Sequence, residues 1–133
     1  MQVSRITLFA LSLFTSLVLY AHHSTSFNYS EETVTLNGTV TNLNWVNPHS
    51  TLVLVVANAD GSQDEYLVEF LARIALERGG FDFNALYDGL SIQLTGRIGF
   101  REGYLRFTEA VLEDGRVLRE RLPSTLPVEE TQP

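Results

Sequence analysis

The chain has 133 residues, a length suited to one domain with its own core, and 44% of them are hydrophobic, as in ordinary globular proteins. Its nine basic residues are all arginines and face 16 acids, for a net charge of −7. That balance argues against nucleic acid and anionic membrane surfaces, which are bound through basic side chains, and the absence of cysteine excludes disulfides, thiolate metal sites and lipid attachment through sulfur.

Residues 1–21 read as a secretory signal peptide. Arg5 is the only charge, Ile6 to Ala21 is apolar or small, and Leu19 and Ala21 occupy the minus-three and minus-one positions of a cut. As a membrane anchor this run would be short, at 16 residues against the roughly 20 that span a bilayer. Export to a bacterial periplasm is therefore expected, with no membrane attachment after cleavage. The segment 22–32 is polar and irregular in pattern, with Phe27 and Tyr29 as candidate anchors.

Alternation then begins. Val34, Leu36, Gly38 and Val40 share one face of a strand, but after Thr41 the phase slips to Leu43 and Trp45, which predicts a β-bulge. Asn47-Pro48 ends the strand, since proline cannot donate to a ladder. Leu52 to Ala57, apolar on both faces, predicts a central strand, and Asp60-Gly61 a hairpin turn into a third strand through Tyr66, Val68 and Phe70. A helical period places Leu71, Ile74, Ala75 and Arg78 on one face, stopped by Gly79-Gly80, and Asp82 can cap a second short helical turn. Leu90, Ile92, Leu94 and Ile98 alternate in a fourth strand, Gly99 to Gly103 turns the chain, and Tyr104 to Leu112 is a fifth. In that strand Leu105, Phe107 and Val111 define the inward register, which Glu109 interrupts as a cleft or rim carboxylate unless the register is off by one. Asp114-Gly115 leads into a short strand, Arg116 to Arg119, and residues 122–133, with three prolines, are expected to be disordered.

Three strands, a helix and two strands predict a mainly β domain over residues 33–121, specifically an OB-fold-like five-stranded barrel with the helix between strands three and four. Such barrels bind through the loops joining strands one to two and four to five. Here these are Val46 to Ser50 and Gly99 to Gly103, which would set His49 opposite Phe100, Arg101 and Glu102.

A cut after Ala21 leaves His22 at the mature terminus, offering its amine and its ring nitrogen to a metal. His49 or His23 would add a third nitrogen, an all-nitrogen set that suits Cu(II). A cut one residue earlier leaves Ala21-His22-His23, whose third-place histidine also suits square-planar Cu(II), and both readings depend on a free amine. The plainer alternative is that paired histidines are solvated and His49 bonds locally. Trp45 reads first as a core residue and second as a ligand platform, and Asn47, Arg101 and Glu102 complete the candidate ligand-binding set. Arg97, Arg101 and Arg106 could gather around an anion, although pairing with nearby acids explains them more simply. No nucleophile elbow, glycine-rich phosphate loop or zinc-protease helix is present.

The start Ala21-His22-His23-Ser24, the strand Val34 to Val40, the segment Trp45-Val46-Asn47-Pro48-His49, the helix end Arg78-Gly79-Gly80, Gly96 and Asp114-Gly115-Arg116 resemble a family of small exported bacterial proteins of unknown function. The resemblance covers about residues 21–118 and implies a periplasmic OB-like domain without bringing an activity. Tyr87-Asp88-Gly89 and Ser50-Thr51 depart from the family's pattern. The functional expectation is a non-enzymatic exported binding module, with copper as its candidate ligand. Its alternative is a metal-free module for a small molecule, glycan or partner protein; a mono-copper oxidative enzyme is disfavoured by the small domain.

Overall fold

A computed structural model describes residues 28–122. Residues 1–21, read from sequence as a signal peptide, His22, His23 and Phe27, and the tail from residue 123 all lie outside the described residues. Six strands carry the domain: β1 (Tyr29–Asn44), β2 (Thr51–Ala57), β3 (Gln63–Glu69), β4 (Ser91–Gly99), β5 (Tyr104–Leu112) and β6 (Val117–Arg119). One short helix, α1 (Arg73–Arg78), and a 3-10 turn (Phe83–Ala85) lie between β3 and β4. The sheet runs β3-β2-β1-β4-β5-β6, and a further pairing of β3 with β5 closes a ring of hydrogen bonds. That closing seam is parallel and short, from Leu67 opposite Tyr104 to Glu69 opposite Arg106; the other pairings are antiparallel.

The slip expected after Thr41 is a bulge. Thr41 faces Val53 while Asn44 faces Thr51, so three steps along β1 match two along β2. Asn42 absorbs the extra residue at φ 48°, a left-handed conformation that asparagine tolerates better than most side chains. Gly38 marks a close approach on the same strand, for a Cβ there would stand 2.7 Å from the Val55 carbonyl oxygen. At the strand's start the chain is regular earlier than its polar pattern suggests. Tyr29 is buried and pairs with Gly99, so its phenol anchors a strand begun within the segment expected to be irregular.

Val40, Leu52, Leu54, Val68, Leu94 and Leu105 fill the middle of the core. Burying each such side chain contributes roughly 1.5–3 kcal/mol. One end is closed by aromatic rings: Phe70 stacks on Phe107 at 4.3 Å between centroids, and Trp45 meets Phe70, Phe81 and Phe83 edge-on at 5.0–5.5 Å.

Two sequence expectations are corrected. Helix α1 buries Leu76, while Ile74 is 46% exposed, so the face drawn through Leu71, Ile74, Ala75 and Arg78 is not the packed one. Six residues are too few for apolar spacing to fix a face. Docking fixes it instead, because Arg73 N–H donates to the Val46 carbonyl and Ile74 N–H to Asn47 Oδ1. In β5, Thr95 and Gly96 face Glu109 and Phe107, leaving Thr108 as an extra residue. This bulge flips the register: Ala110 and Leu112 turn inward, and Glu109 turns out to meet Arg119 at 2.7 Å. The predicted cap is present, with Asp82 Oδ1 accepting from Asn84 N–H. Among the described residues no helix is long and apolar enough to cross a membrane.

Candidate functional site

The loop from β1 to β2 is pinned to the connection between β3 and α1. Ser50, fully buried, donates its hydroxyl to the Val46 carbonyl and its N–H to the Leu71 carbonyl, and its own carbonyl accepts from Phe70 N–H at 2.8 Å. Asn47, joined to Pro48 by a cis peptide, supplies the first turn of α1 with the acceptor its orphan N–H requires. His49 is thus carried on a fixed frame with about half of its side chain in solvent.

Its partner follows from strand register. Thr51 pairs with Glu69, which brings the Glu69 carboxylate beside the residue two positions before Thr51. Oε1 of Glu69 lies 3.0 Å from His49 Nδ1 and Oε2 accepts from the Tyr29 hydroxyl at 3.1 Å. A contact this exposed contributes only about 0–1 kcal/mol, so its main consequence is orientation. Nδ1 is the nitrogen that bears hydrogen, as its carboxylate partner requires, and Nε2 has no partner among the described residues. Burial first, and the Glu69 charge second, push the Tyr29 phenol up to about 12, so it stays a donor at neutral pH.

Beside this triad a hollow of about 430 Å³ is lined by Asn28, Tyr29, Glu69, Phe100, Arg101 and Tyr104. Phe100 is 69% exposed, its N–H donates to the Asn28 carbonyl, and the Arg101 guanidinium lies 4.5 Å over the Tyr104 ring. The two loops singled out from sequence therefore meet at one end of the ring, bridged by Tyr29 and Glu69. A larger hollow, about 660 Å³, opens at the opposite end. Its lining is neutral amides, hydroxyls and aliphatic groups with Glu113 as the one charge, so it gathers less chemistry despite its size.

The predicted site residues fare differently. His49 and Arg101 reach this end, Glu102 is exposed beside it, Asn47 serves the helix, and Trp45 belongs to the aromatic cluster. His22 and His23 lie outside the described residues. Within those residues no three histidine, cysteine, aspartate or glutamate side chains gather as metal ligands. Arg97 binds Glu31 and the Ser30 carbonyl, and Arg106 binds Glu120, so the three arginines form no shared anion site. Sequence reasoning missed Glu69, Tyr29 and Tyr104. Tyr29 had shown only as an anchor, and Glu69 is visible only once the register of β2 on β3 is known.

Fold and site together define a small, mainly β domain whose ring-closed sheet carries a histidine–carboxylate–phenol cluster at one end. The match that places it is to the Family of unknown function (DUF6152), whose family model covers residues 11–104, and the chain belongs to that family. The matched stretch includes all three histidines, Tyr29 and Glu69, and stops before Arg106 and Glu120. No curated protein and no solved structure matches the chain.

Proposed function

We propose that this protein is an exported, periplasmic binding module, built as an OB-like barrel, that holds Cu(II) between its mature N-terminal histidine and His49. Supporting the barrel is the cyclic order β1-β2-β3-β5-β4 with α1 between β3 and β4. Supporting export is the signal-like stretch ending at Ala21.

The observation that carries the metal reading is the His49–Glu69 pair. A ligating imidazole typically donates its other N–H to a carboxylate, which fixes the ring and makes the free nitrogen more basic, and His49 is held in that way with Nε2 unpartnered among the described residues. Tyr29, on the same carboxylate, lies seven positions after His22, a stretch that spans at most roughly 25 Å, so chain length permits the amine and ring of His22 to meet Nε2 of His49. His23 is the alternative third ligand. Intact mass of the secreted chain, then Cu(II) titration, tests this. A chain beginning at His22 should bind Cu(II), and acetylation of the His22 amine should weaken binding more than tenfold. A native mass beginning beyond His23, or indifference to acetylation, overturns the reading.

A metal-free module for a small molecule, glycan or partner protein is the second reading. The hollow of Phe100, Arg101 and Tyr104 favours it, since an exposed ring beside a charged rim suits an amphipathic ligand.

A further inference from the structure

Among the described residues, an enclosed ion pair sits behind this site. Arg106 and Glu120 are each only about a tenth exposed, and Arg106 Nη2 donates to Glu120 Oε2 at 2.5 Å. Between them they grip the chain on both sides of Phe70: Arg106 Nη1 donates to the Glu69 carbonyl at 2.8 Å, and Glu120 Oε1 accepts from Leu71 N–H at 2.6 Å. The opposite side of the same segment is held by Ser50, through Phe70 N–H and the Leu71 carbonyl. Residues 69–71 are thus fixed between the His49 loop and this pair. Glu69 and Arg106 are also the last partners of the parallel seam that closes the ring.

We infer that Arg106 and Glu120 are positioning residues for the His49–Glu69 site, with the segment after β6 acting as a clasp on the seam. Glu120 fixes Arg106, Arg106 fixes the Glu69 backbone, and the Glu69 carboxylate then selects which nitrogen of His49 bears hydrogen. A buried guanidinium and carboxylate need each other, so removing one charge releases the other's grip rather than leaving it in place. The inference rests on reading this end as the binding site, but its test uses no metal, so failure of copper to bind would leave it standing.

The test is ¹⁵N NMR of the histidine rings at fixed neutral pH in the metal-free full chain, with the His49 signals assigned by their loss in His49→Ala. Glu120→Gln, which keeps an acceptor for Leu71 N–H, is expected to move the His49 ring signals at least half of the way to their positions in Glu69→Gln. Ile92→Val, at the far end, should lower the melting temperature without moving them. Should Glu120→Gln fail to fold, Glu120→Asp is read in the same way, with a smaller shift in the same direction. Unmoved His49 signals in the folded Glu120 variant, or an equal shift in Ile92→Val, overturn the inference.

Discussion

Replacing Glu69 with glutamine keeps its shape and removes its charge, and the structure sets the size of the response. The pair with His49 is half exposed, so its loss costs about 0–1 kcal/mol. The Tyr29 hydroxyl exchanges a charged acceptor for a neutral one, a difference of about 1 kcal/mol. The total, about 1–2 kcal/mol, should lower the melting temperature of a domain this size by roughly 5–10 °C, read by circular dichroism. Phenolate absorbance supplies the sharper assay. Because burial is the leading cause of the Tyr29 shift and Glu69 the next, Glu69→Gln should bring the Tyr29 midpoint down from about 12 but leave it above the ordinary 10. An unchanged midpoint would show that the carboxylate does not act on Tyr29. A full return to 10 would show that burial is not the leading cause.

Further expectations follow from the same contacts. Tyr29 is protonated in the folded state up to a higher pH than in the unfolded chain, so its contribution is fully present below pH 10 and is lost as pH rises toward 12; urea titrations across that range should show stability falling. Phe70→Ala removes the hub of the aromatic cluster and should cost about 3–5 kcal/mol in denaturant unfolding, whereas Ile74→Ala, on an exposed face, should change stability by less than about 0.5 kcal/mol. Asn47→Ala removes the acceptor for the Ile74 N–H and should cost about 1 kcal/mol, with faster amide exchange at Ile74.

Much of the β framework was legible because side-chain period records which face is buried. The slip from Val40 to Leu43 and Trp45 announced the bulge at Asn42, and Asp82 announced its own cap. The second bulge left an ambiguous trace: Glu109 among Leu105, Phe107 and Val111 reads equally as a buried acid or a shifted register, and only the pairing with β4 places the extra residue at Thr108. Helix α1 offered a spacing that tertiary hydrogen bonds to Val46 and Asn47 overrode. His49 stood out by rarity and by its loop, but its partners did not. Glu69 reaches it through strand register, Tyr29 through the other end of β1, and Arg106 and Glu120 through a seam between strands far apart in sequence, none of which leaves a local pattern.

The central claim is that the end of the ring carrying His49 and Glu69 is where this protein takes up its ligand. Adding sub-stoichiometric Cu(II) to the isotope-labelled chain beginning at His22 and recording which amide signals broaden tests this most directly. The account predicts early loss of the signals of His49, Tyr29 and Glu69, with Ile92 and Val55 at the far end untouched. Broadening that spares His49, or that gathers around Glu113 and Gln63, would contradict it.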